Sequence, residues 1–202
     1  KPEECLNHAR MLVEEHKQSW LGYQFASRSL LQIKQLIKAE SVIKEGLEHH
    51  PDEFWLLTTA IDIYRSVEKH NESLETSRKL LKLNPQSWIG YRSVAQDLIS
   101  LNKIAQAEQV ITNGLEQFPD EFWIIATAID VLRRLKKFSD SLKLSLRLVD
   151  KHPDSWAGYQ NSAQDYLTLN QYADAKKIAD RGLDHFPNEI SLRITSSEIS
   201  RS

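Results

Sequence analysis

The chain has 202 residues, of which 41% are hydrophobic and 27% charged, a balance that excludes an intrinsically disordered segment. Its 26 basic and 28 acidic residues leave a formal charge of −2, so bulk electrostatics give no reason to expect nucleic acid or an acidic membrane as partner. The single cysteine, Cys5, excludes an internal disulfide and fits a reducing compartment, so a cytoplasmic location is the expectation. The longest apolar run, Phe122 to Ile129 with Thr127 inside it, is far short of the ~20 residues a bilayer span needs. The opening Lys1-Pro2-Glu3-Glu4 has no apolar stretch of the kind that marks a signal peptide.

Taken in order, the chain repeats itself. Ser19-Trp20-Leu21-Gly22-Tyr23 returns as Ser87-Trp88-Ile89-Gly90-Tyr91 and again, after an equal interval, as Ser155-Trp156-Ala157-Gly158-Tyr159. A second signature, Asp-Glu-Phe-Trp, begins at Asp52 and at Asp120 with the same separation. Pro51, Pro85, Pro119, Pro153 and Pro187 are evenly spaced and divide each period into two equal halves. Between successive prolines lie two stretches of helical periodicity. After Pro51 the apolar residues Phe54, Leu57, Ile61 and Tyr64 follow steps of three and four, and Leu74, Leu80 and Leu81 continue on a second helix. Helix formers dominate and glycine is rare, with 6 in the chain. Asp52, Asn71, Ser87, Asp120, Ser139 and Ser155 are the expected helix caps, because their short side-chain oxygens can satisfy orphan backbone N–H groups.

These residues resemble the tetratricopeptide repeat (TPR) family. That family's 34-residue repeat has an aromatic near its start, small residues at positions eight, twenty and twenty-seven, and proline at thirty-two. In this register position twenty is Ala39, Ser73, Ala107, Ser141 and Ala175, all small, and position four carries bulk in Tyr23, Leu57, Tyr91, Ile125 and Tyr159. The resemblance implies an all-α, right-handed α-solenoid of stacked antiparallel helix hairpins spanning 1–202 as a single array. Its full repeats would be 20–53, 54–87, 88–121, 122–155 and 156–189. Residues 1–19 would form a half repeat, Cys5 to His16 aligning with Ser141 to His152, and 190–202 a terminal first helix. Repeats that run off both ends predict a segment of a longer protein.

Odd and even repeats differ. Odd repeats have Ser27, Ala95 and Ala163 at position eight and Gly46, Gly114 and Gly182 at position twenty-seven. Even repeats have Ile61 and Ile129, then Leu80 and Leu148. A glycine inside a helix costs ~1 kcal/mol against alanine, so it should serve close packing. Two kinds of interface should then alternate, unless the difference records only duplication of a two-repeat unit. Lys34, Glu68, Asn102, Lys136 and Asn170 stand where the family has a glycine between its helices.

Nothing in the chain reads as catalytic. It lacks a Gly-rich phosphate loop, a His-Glu-x-x-His and a Cys-x-x-Cys, and no cofactor is expected. Cys5 and His8 lie one turn apart with no third group to orient them. His16, His50 and His152 share one repeat position, and His49 and His185 the one before it, which spreads the histidines along the array instead of converging them on a metal.

Function is expected on the inner face, where the family register places positions two, five, nine and twelve of the first helices. Odd repeats contribute Gln24, Arg28, Arg92, Gln96, Gln160 and Gln164. Even repeats contribute Trp55, Thr58, Asp62 and Arg65, then Trp123, Asp130 and Arg133. The tryptophans are either partner anchors or packing between hairpins. Asp62 with Arg65, and Asp130 with Arg133, have the i, i+3 spacing of a helix-surface ion pair worth ~0.2–0.5 kcal/mol. No full repeat has the Lys at five and Asn at nine with which some relatives clamp a chaperone's C-terminal tail. The expected role is a non-enzymatic scaffold that binds another protein or peptide, with neither nucleic acid nor membrane insertion. Two alternatives are a TPR arm of a larger enzyme, such as a bacterial glycan-assembling glycosyltransferase, and homo-oligomerisation through apolar ends around Leu6, Met11, Ile194 and Ile199.

Overall fold

The computed structural model describes Asn7, Met11, Val13 and residues 19–201. The expectations placed on Cys5, Leu6, His8 and His16 lie outside those residues. The chain divides into two compact units, residues 1–102 and 103–202. Among the described residues all regular structure is helical.

The first unit contains α1 (Trp20–Gln32), α2 (Leu36–His49), α3 (Phe54–Ser66), α4 (His70–Leu83) and α5 (Trp88–Ser100). The second contains α6 (Ile104–Gln117), α7 (Phe122–Arg134), α8 (Phe138–Lys151), α9 (Trp156–Thr168), α10 (Tyr172–His185) and α11 (Ile190–Ile199). Helices adjacent in sequence pack against each other within each unit. First helices also touch across a hairpin, α1 on α3 and α9 on α11.

The helix boundaries follow local chemistry, with one correction to the caps. Ser87 and Ser155 occupy N-cap positions, and the Ser155 hydroxyl accepts from Ala157 N. Asp52 and Asp120 lie one residue too early, while Asn71 and Ser139 are already inside their helices. Glu53 and Glu121 hold the cap position instead, and Glu121 accepts from Trp123 N at 3.4 Å. The cap fell to the residue whose extended backbone turns into the helix, not to the nearest short acid.

The five residues standing where the family has glycine all adopt a left-handed backbone: Lys34, Glu68, Asn102, Lys136 and Asn170, with φ between 56° and 60°. That conformation costs an L-residue ~1–2 kcal/mol, and asparagine least. It is held by the turn's own hydrogen bonds. At the first turn Ile33 N donates to Ser29 O, Lys34 N to Leu31 O and Gln35 N to Leu30 O, which closes the end of α1 and aims the chain into α2.

The two kinds of hairpin are packed differently. In the first and last odd hairpins a tyrosine lies on a glycine. Tyr23 is fully buried, and a Cβ added at Gly46 would come within 2.7 Å of its Cβ. Tyr159 is likewise buried, and a Cβ at Gly182 would come within 2.8 Å of it. In even hairpins aliphatic side chains mesh, Leu57 and Ile61 with Leu80, and Ile125 and Ile129 with Leu148. The glycine of the recurring Ser-Trp-x-Gly-Tyr stretch serves a third contact, with the preceding second helix. A Cβ at Gly90 would meet the Leu81 Cα at 2.8 Å, and one at Gly158 the Val149 N at 2.8 Å. Only a bare backbone lets those helices approach so closely.

Candidate functional site

The first helices of the first unit form the walls of a pocket of about 290 Å³. Gln24 and Arg28 come from α1, Trp55, Thr58, Asp62 and Arg65 from α3, and Arg92 and Gln96 from α5. All eight inner-face residues expected in this stretch therefore line one cavity. Trp88, Thr59 and Ser93 complete its polar and aromatic rim. Trp55 stands edge-on to Phe54, with ring centroids 5.1 Å apart, and remains 48% exposed. Its indole is not folded away between hairpins.

Charge in the pocket is arranged otherwise than the i, i+3 spacing predicts. Arg65 does not pair with Asp62. It reaches from α3 to α5, where its Nε donates to Asp97 Oδ1 at 2.6 Å, its Nη1 to Gln96 Oε1 at 3.2 Å and its Nη2 to Ser93 O at 2.9 Å. Asp97 is fully buried and also accepts from Ser73 Oγ at 2.9 Å and from Ser77 Oγ, both on α4. One carboxylate thus ties three helices together. Its lone pairs are engaged on both oxygens, as burial of a charge requires.

Asp62, by contrast, has no ion pair within 4 Å among the described residues. Its carboxyl is accessible but sits in a concave wall. Desolvation there raises its pKa above the ordinary aspartate range, against the pull of Arg65, Arg28 and Arg92. Desolvation also lowers the Arg92 pKa, with a smaller contribution from repulsion by Arg65. The Arg92 guanidinium lies 6.0 Å from the Trp88 ring centroid, within range of a cation–π contact.

The second unit repeats the tie. Arg133 Nε donates to Asp165 Oδ1 at 2.7 Å, and Ser141 and Ser145 each donate to Asp165 Oδ2 at 2.8 Å. Asn161 takes the remaining guanidinium bonds, through its Oδ1 at 2.8 Å and its O at 2.6 Å. Asp130 pairs with Arg134, its fourth neighbour, at 3.0 Å, and not with Arg133. Trp123 is 45% exposed and edge-on to Phe122. Gln160 and Gln164 lie on α9. Surface pairs recur as well: Lys69 with Glu40 at 2.6 Å is echoed by Lys137 with Glu108 at 2.5 Å.

The family register did not point to Asp97, Asp165, Ser77 and Ser145. Their signal was present all the same. Asp97 recurs as Asp165 and Ser77 as Ser145, one full period on, and an aspartate stands twice on a helix face otherwise turned inward. Four of the described histidines make ring or backbone contacts within the array. His49 and His185 lie 5.9 and 5.8 Å from the Tyr23 and Tyr159 rings, and His152 Nε2 bonds to Asp120 O at 2.7 Å. Among the described residues no three His, Cys, Asp or Glu are grouped to hold a metal ion. No described helix is long and apolar enough to cross a membrane. At the chain's end Ile190 and Ile194 are exposed, but Ile199 is buried in the α9–α11 core, which corrects its placement on an apolar end surface.

No protein-family model matches the chain. A tetratricopeptide repeat-containing protein of Caenorhabditis elegans, trd-1, is 24% identical over 181 residues, and the match spans 90% of this chain but only 22% of the relative's length. Among solved structures, Pseudomonas aeruginosa PilF superposes with a TM-score of 0.76 at 10% identity, covering 98% of this chain and 90% of PilF. TTC0263, a TPR protein of Thermus thermophilus, does so at 0.69 and 14% identity, covering 91% of this chain and 100% of its own. YrrB, described as a TPR protein with an unusual peptide-binding site, scores 0.67 at 15% identity, covering 94% and 97%. The repeat register, the left-handed turn in each hairpin and these likenesses together identify the fold as a tetratricopeptide-repeat array.

Proposed function

We propose that this chain is a non-catalytic interaction scaffold that docks a peptide or helix of another protein along the face built by its first helices. The observation that carries the reading is the pocket between α1, α3 and α5, with half-exposed Trp55 at its rim and eight inner-face side chains directed to one place. An open groove of amides, arginines and an indole suits a ligand held by hydrogen bonds and one aromatic anchor, not a reaction from which water must be excluded. The peptide-binding site described for YrrB gives the reading a precedent in the same fold.

Selection of a displayed random 12-residue peptide library on the folded protein tests this. Enriched binders should lose ~30-fold or more in affinity on Trp55→Ala, as truncation of an aromatic anchor does, with helical circular dichroism intact. Trp123→Ala reports separately on the second unit. Binders whose affinity is untouched by Trp55→Ala would remove the groove from consideration.

A further inference from the structure

The pocket of the first unit carries more positive charge than its own acids neutralise. Arg28, Arg65 and Arg92 line it, and Asp62 is the one acid among the lining residues. Behind the wall, Asp97 engages Arg65 through a direct bond, and Asp62 is drawn by all three guanidiniums, so three arginines are set against two carboxylates. Two groups make this surplus usable. Arg28 is exposed on α1, and no ion pair within 4 Å engages it among the described residues. Arg92, partly buried beside Trp88, is desolvated, so a new anion near it would be attracted through less screening water.

Resting on the groove reading above, we infer that this pocket selects peptides with an acidic side chain beside an aromatic or large apolar one. The carboxylate would enter between Arg28 and Arg92, and the apolar neighbour would lie against Trp55. A single carboxylate is favoured over a phosphate because the surplus is one charge. A dianion would leave negative charge facing Asp62, whose own carboxyl is already desolvated in the wall. The preference belongs to this pocket. One full period on from Arg28 and Arg92 the sequence has Gln96 and Gln160, so the surplus is not written into the next period.

The same library selection provides the test, with Arg28→Gln/Arg92→Gln as the variant. These are the residues the sequence itself uses one period later, and both sites face solvent or the pocket, so helicity should be retained. On the wild type, enriched peptides should be rich in Asp or Glu next to an aromatic residue, and the variant should lose that enrichment. A fluorescein-labelled Glu-Phe peptide from the selection should bind the wild type about 10- to 100-fold more tightly than its Gln-Phe counterpart, a ratio that falls to near one on the variant. Tighter binding of the phosphoserine counterpart than of the glutamate peptide overturns the carboxylate assignment. An unchanged acidic preference on the variant overturns the inference while leaving the groove standing, provided Trp55→Ala still weakens binding. If Trp55→Ala is also silent, the groove reading fails with it.

Discussion

The two units carry the same internal tie and different residues around it. In each, an arginine of an even first helix spans to a buried aspartate of the next odd first helix, with two serines of the intervening second helix completing the shell. Around that tie the first unit sets Arg28, Arg92 and Asp62, which has no ion pair among the described residues, whereas in the second Asp130 pairs with Arg134. The comparison separates two demands on one stretch of helix. The buried carboxylate holds hairpins in register and recurs unchanged with the period. The exposed residues one turn away vary, as expected of a surface that distinguishes ligands.

Removing the tie should have the largest effect. Asp97→Ala leaves a partly buried guanidinium and two buried serine hydroxyls without their acceptor, and should cost about 3–4 kcal/mol in urea unfolding. Asp165→Ala should cost a similar amount. A large inequality between the two would break the equivalence of the units. Next come the tyrosine-on-glycine contacts. Gly46→Ala and Gly182→Ala force a methyl into the Tyr23 and Tyr159 side chains and should cost ~1–3 kcal/mol, by the same measurement. The smallest effect is expected at the turns and has the opposite sign. Glu68→Gly relieves a left-handed residue and should raise stability by ~0.5–1 kcal/mol, while Asn102→Gly should change it by only a few tenths.

The hairpins, their register and the alternation of small and bulky positions were legible because each is a local or periodic property of the chain. Pro51 and its successors mark loops, and Ala39 or Ser73 marks a close helix crossing wherever the period places it. The left-handed turns were legible only through position, since lysine and glutamate do not announce that conformation. The ion pairing was misread for a physical reason. Asp62 and Arg65 are neighbours on one helix, but a guanidinium that can make three bonds to α5 gains more than a solvated surface pair offers. Such a partner, remote in sequence, becomes a neighbour only after hairpins stack. Trp55 and Trp123 could be read either as packing or as exposed from sequence, because each follows a Phe that competes for the same interior.

The Asp97 tie also sets the size of the piece that can be added to or lost from this chain. Deleting residues 54–87, a single repeat, would keep every proline and helix start in phase. It would nevertheless bring the Asp97 helix onto a hairpin that has Leu31 in place of Arg65, and Ala39 and Ile43 in place of Ser73 and Ser77. A carboxylate would then be enclosed by hydrocarbon, at a cost several kcal/mol above that of losing the repeat itself. Excising two consecutive repeats between equivalent points restores every partner. The heritable module, and the sensible unit for engineered lengthening or shortening, is therefore the hairpin pair.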